Sequence, residues 1–164
     1  FGSRSGVFEI DGHLLSCASI DNKPVFCYLP RSNETVHIVL TFDGATYQRA
    51  ALAVISSILT HTLFPERLMF HLFVSIGTRD QFLPKTRVLL NQKHPYFSLD
   101  RLEVVEVDPN KFYNMSEFAL PKDNRDDLKN PFTFVRLLVP QLLHDSVKKI
   151  IYLDVDIIVK EVCL

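Results

Sequence analysis

Two aspartates near the end of the chain, Asp154 and Asp156, have the residue type and spacing for metal chemistry. They stand in Lys148-Lys149-Ile150-Ile151-Tyr152-Leu153-Asp154-Val155-Asp156-Ile157-Ile158-Val159, where apolar residues run into the carboxylates and resume at once. A short apolar run rich in Ile and Val predicts a strand buried on both faces, as inside a parallel sheet. Strand side chains alternate, so Asp154 and Asp156 are expected to share a face while Val155 points the other way. Two like charges side by side in apolar surroundings repel and lose hydration, so something must compensate them. A hard divalent cation suits, because carboxylate oxygens match Mg²⁺ or Mn²⁺, which fill their shells with water and phosphate oxygens. The expectation is a metal–diphosphate site at the end of a buried strand. The competing reading is a strand end with both carboxylates in water, since a bare D-x-D also recurs by chance.

Two further residues could join such a site. Asp43 follows an apolar strand and precedes Gly44. It could accept from a base N–H or a ribose hydroxyl, or simply cap the turn. Arg136 falls in a segment that feeds the aspartate strand, among Phe134, Leu137 and Leu138. A guanidinium on an apolar face calls for a phosphate or a carboxylate, or else it snorkels to water.

The elements that must position these residues read as alternating strands and helices. Residues 36–42 form the first confident strand, ended by the Asp43-Gly44 turn signal. A helix is expected over residues 47–60, with Ala51, Val54, Ile55, Ile58 and Leu59 on its inner face. Residues 68–75 give a second buried strand, residues 78–92 a helix that Pro84 starts or kinks, and residues 102–107 a third strand closed by Asp108-Pro109. Residues 111–130 are polar and of mixed charge, hence a loop. A helix opened by Asn130 or Pro131 follows, and Pro140 should kink or end it. This alternation argues for right-handed βαβ units and a parallel sheet. In such a sheet ligands bind beyond the carboxyl ends of the strands, where the strand order reverses. If the Asp43 and Asp154 strands are neighbours, one crevice sees all three carboxylates.

Composition bounds the reading. The chain has 164 residues, 47% hydrophobic and 23% charged, enough for a globular domain with a core and unlike a disordered segment. A net charge near −1 without a basic window excludes a nucleic-acid partner. No apolar run reaches the length of a membrane span, and no signal peptide is visible. The chain opens on Phe1 and not on Met, which leaves an upstream anchor open. Residues 1–35 read as a leader or irregular extension, with a short hairpin at most. Cys17, Cys27 and Cys163 lack metal-ligand spacing, and a Cys17–Cys27 bridge stays open. Sequons at Asn33 and Asn114 permit a secretory-lumen home without arguing for it.

Thr41-Phe42-Asp43 with the apolar helix after it, Phe132-Thr133-Phe134-Val135-Arg136, and Tyr152-Leu153-Asp154-Val155-Asp156 occur in one order and spacing. In this the chain resembles glycosyltransferase family 8, and within it the galacturonosyltransferase-like branch, over residues 36–163. The resemblance implies a Rossmann-like, open, mostly parallel sheet with flanking helices, the GT-A type of nucleotide-diphospho-sugar transferase. Residues 36–164 would be its N-terminal nucleotide-binding part, truncated at the C-terminus. It further implies that Asp43 contacts uracil, that Thr41 lines the same pocket, and that Arg136 contacts the sugar nucleotide. Tyr47 would serve the nucleotide too, although it stands four residues after Asp43 where the family usually has three. Asp154 and Asp156 match the catalytic aspartates that bind Mn²⁺ (or Mg²⁺), with Asp154 also near the ribose and donor sugar. The implied reaction moves a hexosyl or uronosyl unit from a UDP-sugar to a glycan acceptor with retention, in the Golgi or another secretory compartment, on cell-wall polysaccharide. The family's metal histidine, phosphate loop and acceptor site belong to a C-terminal half beyond Leu164, so residues 1–164 alone are expected to be inactive. Pro140 departs from the family pattern.

Two rivals remain at this level. Phosphatases of the haloacid-dehalogenase type also place D-x-D after an apolar strand, with the first aspartate as nucleophile. Their motif tends to open its domain, and the fourth residue after the nucleophile is normally Thr or Val, where this chain has Ile158. The other rival is a nucleotide-binding module without catalysis.

Overall fold

The computed structural model describes residues 35–44, 46–62, 64–108 and 131–160, together with the backbone of residues 4–10, 13–20 and 23–28. The loop expected over residues 111–130 and both sequons lie outside the described residues. The chain divides into two compact units, Phe1–Glu34 and Thr35–Leu164.

In the first unit, β1 (Arg4–Ile10), β2 (His13–Ile20) and β3 (Lys23–Tyr28) form an antiparallel sheet in the order β1-β2-β3. This replaces the irregular extension expected there. The overlooked signal is Asp11-Gly12 between two runs of alternating polarity, the residue pair that most favours a two-residue hairpin connection. The β2–β3 register sets Cys17 opposite Cys27.

The second unit is built on four parallel strands: β4 (Val36–Phe42), β5 (Leu68–Ser75), β6 (Leu102–Val107) and β7 (Ile150–Leu153). Their order is β6-β5-β4-β7, so the chain steps outward from β4 to β6 and then returns to β4's other side. The first three strands are the predicted ones. Runs of Val, Ile, Leu and Phe allow both faces to be covered, as crossover helices require.

One face carries Ile38, Leu40, Phe42, Phe70, Leu72, Val74 and Val104 against α1 (Gln48–His61) and α2 (Arg79–Lys93). The inner face of α1 is the predicted set Ala51, Val54, Ile55, Ile58 and Leu59, joined by Gln48. Pro84 neither opens nor ends α2, which starts at Arg79 and runs through it. It gives up one backbone hydrogen bond while Phe82, Thr86 and Leu90 hold the helix to the sheet. The first turn of α2 is satisfied from β6, where Glu106 accepts from the backbone N–H of Gly77 (2.8 Å) and Arg79 (3.1 Å).

The opposite face carries Val39, Phe73 and Val107, covered by Phe132, Val135 and Val139. Each such fully buried side chain contributes about 1.5–3 kcal/mol. The single helix expected over this stretch is instead a 3-10 stretch, Pro131–Leu137, followed by the four-residue α3 (Val139–Leu142). Pro140 explains the break. Its ring would crowd the carbonyl four residues back and it has no N–H to donate, so it is tolerated only in a first helical turn, where it sits in α3.

The same face holds a polar chain across three strands. His71 Nδ1–H donates to Glu103 (2.7 Å), and His71 Nε2 shares one hydrogen with His37 Nδ1 (2.8 Å), the two rings being stacked. His71 is buried, and Glu103 is half exposed.

The aspartate strand needs the largest correction. It was expected over residues 148–159 and buried on both faces, but β7 covers only Ile150–Leu153 and pairs with β4 alone among the described strands. Ile150 and Ile151 are 38% and 44% exposed. From Val155 onward the chain keeps a two-residue alternation without pairing as a strand. Val155, Ile157 and Val159 pack on the helix-side core, while Ile158 faces outward. The Val159 N–H donates to Ser57 Oγ on α1 (3.1 Å).

Candidate functional site

Because β4 and β7 are parallel neighbours, their carboxyl ends open side by side, at the point where the strand order reverses. The ladder between them ends at Leu40–Leu153, and beyond it the two chains part into a cleft of about 420 Å³. Thr41, Phe42 and Asp43 come to it from β4, and Tyr47 from the turn before α1. Phe132, Thr133 and Arg136 come from the 3-10 stretch, and Tyr152, Asp154, Val155 and Asp156 from β7 and the turn after it. All six residues singled out in the sequence therefore line one cleft.

Local structure explains how each reaches it. After Asp43 the chain turns through Gly44 at a φ of +66°, a left-handed conformation open to glycine at little cost. The Gly44 N–H donates to Ser75 Oγ (3.1 Å), which also bonds Thr78 Oγ1 (2.9 Å), so the turn after β4 is tied to the end of β5. Tyr47 is half exposed, directly before α1. Arg136 is exposed; its Nε donates to the Thr133 carbonyl at 3.2 Å. It is neither buried in an apolar helical face nor on an α-helix at all.

Asp154 and Asp156 are also exposed, and they sit beyond the strand in a turn and not within it. They keep the expected alternation, both exposed with the half-buried Val155 between them, but past the paired end of β7. Neither has a side-chain hydrogen-bond or ion-pair partner among the described residues. Their surroundings match the simpler strand-end geometry, with both carboxylates at the solvent boundary of the cleft.

The cleft thus carries three carboxylates, Asp43, Asp154 and Asp156, against one guanidinium. That imbalance favours a cation, and oxygen-only donors favour a hard one. Among the described residues no group of three or more His, Cys, Asp or Glu could by itself hold a metal ion. Two carboxylates at an open cleft fit an ion that takes its other ligands from water and a diphosphate, which is how Mg²⁺ usually binds.

Five lining residues had no site role assigned from sequence: Phe42, Phe132, Thr133, Tyr152 and Val155. Tyr152 OH and Thr41 Oγ1 are 2.7 Å apart, a hydrogen bond across the floor of the cleft. Strand parity could have found it, because Tyr152 lies two residues before Asp154 on the same side of the chain.

An open parallel sheet covered on both faces, with its cleft at the reversal of strand order, is a Rossmann-like doubly wound architecture, the one that GT-A glycosyltransferases use. Solved structures share the fold. The bifunctional glycosyltransferase WbbM in its apo form superposes with a TM-score of 0.52 at 25% identity, over 88% of this chain and 23% of its own. An active-site mutant of LgtC does so with a TM-score of 0.51 at 21% identity, over 77% of this chain and 40% of its own. Glycosyl transferase family 8 matches residues 37–163, and the chain belongs to that family. Among curated relatives, probable galacturonosyltransferase-like 10 of Arabidopsis thaliana is 33% identical over 124 residues, 76% of this chain and 31% of the relative. Probable galacturonosyltransferase-like 4 of the same plant is 28% identical over 158 residues, 90% of this chain and 42% of the relative. The chain spans less than half the length of either.

Proposed function

We propose that this chain is the donor-binding part of a retaining glycosyltransferase that takes a UDP-sugar with Mn²⁺ or Mg²⁺ and serves a glycan acceptor. The observation that carries the proposal is the gathering of Asp43, Arg136, Asp154 and Asp156 around one cleft at the end of two neighbouring parallel strands. Asp154 and Asp156 hold the cation, which when bound supplies Lewis-acid stabilisation of the departing diphosphate. Asp43 accepts from the uracil edge, with Thr41 and Tyr47 lining the same end of the pocket. Arg136 meets the sugar nucleotide with a guanidinium that suits phosphate oxygens.

The galacturonosyltransferase-like names of the relatives support a hexosyl or uronosyl donor, and the family resemblance extends the proposal to a cell-wall glycan acceptor and a Golgi-type lumen. Residues 1–164 alone are proposed to bind donor without transferring it, because positioning of an acceptor and full charge stabilisation need groups this cleft does not supply. Family membership displaces the phosphatase reading, whose nucleophile opens its domain, whereas Asp154 follows the fourth parallel strand.

Calorimetric titration of Mn²⁺, with and without UDP, tests the proposal on the chain and on Asp156→Asn. Mn²⁺ and UDP are expected to strengthen each other's binding in the unsubstituted chain, and the coupling should be lost in the variant. Equal binding by the two proteins would sink the assignment.

A further inference from the structure

Resting on the donor-site reading above, we propose that Tyr152 is a positioning residue. Its hydroxyl clasps Thr41 and holds the metal-bearing end of β7 in register with the base-recognising end of β4. Three observations carry this. The β4–β7 backbone ladder stops at Leu40–Leu153, so no strand pairing aligns Asp43 with Asp154 and Asp156. Tyr152 is paired with Val39, yet its hydroxyl reaches forward to Thr41, 2.7 Å away and past the last residue of β4 that pairs with β7. Its ring packs partly buried against the cluster of Val39, Phe73 and Val135, which fixes the direction in which the hydroxyl points.

The division of labour in the cleft makes this clasp matter. Asp154 and Asp156 come from one turn, so their mutual geometry is local to β7. A nucleoside diphosphate that reaches from Asp43 to the cation instead spans two strands, and its affinity depends on how well the two ends are held relative to each other. Loss of the clasp should leave the cation's protein ligands in place and penalise only the spanning ligand. A merely structural hydrogen bond would change stability and leave this split unmoved.

Tyr152→Phe removes the hydroxyl and keeps the packed ring. Thr41→Val removes the other partner, and Thr41→Ser restores a hydroxyl at the same place. UDP affinity in saturating Mn²⁺ is expected to fall about three- to tenfold in Tyr152→Phe and in Thr41→Val, the scale of one net hydrogen bond. The double variant should lose no more than either single one, and Thr41→Ser should bind as the unsubstituted chain does. Affinity for Mn²⁺ alone should stay unchanged in all four, and the thermal midpoint should fall by no more than the few degrees that one hydrogen bond of the free protein accounts for. Unaltered UDP affinity in Tyr152→Phe overturns the inference. So do losses that multiply in the double variant, which would mean that each hydroxyl touches the ligand separately. If the unsubstituted chain binds no UDP at all, the donor-site reading fails first and the clasp falls with it.

Discussion

Asp43 and Arg136 mark the two ends of the ligand the cleft is proposed to take, and each has a competing structural role. Asp43 could serve the turn that Gly44 makes, and Arg136 could be a solvated side chain whose Nε merely bonds Thr133. Removing a charge-assisted hydrogen bond to a ligand costs about 1–3 kcal/mol. Asp43→Ala and Arg136→Ala are therefore expected to weaken UDP binding by that amount while the thermal midpoint stays within a few degrees. An unchanged UDP affinity with a large fall in midpoint would assign them to the fold. These residue types and their order were legible in the sequence, since a carboxylate after an apolar strand reads the same in any register. That Asp154 and Asp156 lie beyond the paired part of β7 was not. Period-2 alternation describes a strand wherever it occurs, but only the partner strand decides where pairing stops, and β4 stops pairing with β7 at Leu40.

Among the elements, β4, β5 and β6 could be read to the residue because each is a short run dominated by apolar residues and closed by a turn signal. β7 has the same apolar pattern and a different environment. A run of Ile and Val cannot say whether neighbours stand on both sides of it, and here it is paired on one side only within the described sheet. The 3-10 stretch before α3 was blurred for another reason: Pro140 forbids a continuous helix, but what replaces it depends on packing Phe132, Val135 and Val139 onto β4 and β5.

The polar chain that ties β4, β5 and β6 together makes the fold pH-dependent. Burial, and then the neighbouring charge of His71, hold His37 below the ordinary histidine value of 6.5. His37 bonds His71 on β5, which in turn bonds Glu103 on β6. The two rings share one hydrogen, so a proton on each would set N–H against N–H at 2.8 Å. The unfolded chain takes up a proton on His37 that the folded chain resists. Stability from this group is thus present above pH 6.5 and is lost as pH falls below it, by at most about 1.4 kcal/mol per pH unit. His94, also held low by burial first and then by Lys93, acts in the same direction. Urea unfolding between pH 7 and pH 5 should show a steeper loss for the unsubstituted chain than for His37→Asn, which keeps a donor and cannot titrate. Parallel pH profiles for the two proteins would contradict the argument.

For the whole molecule, the sheet separates two cores, and the site falls where neither covers it. α1 and α2 bury one face, and the 3-10 stretch and α3 bury the other. The carboxyl ends of β4 and β7 are left facing a cleft with an excess of negative charge. Three carboxylates concentrated in one crevice of a chain of net charge −1 repel one another unless a cation compensates them, as the proposed donor site would require. Electron paramagnetic resonance of Mn²⁺ added to the chain tests this most directly, because it reports the ion's own ligands. With UDP present, the account predicts a bound Mn²⁺ signal coupled to phosphorus, and its loss in the Asp154→Asn, Asp156→Asn double variant. Bound Mn²⁺ that persists in the double variant, or that never couples to phosphorus, would contradict it.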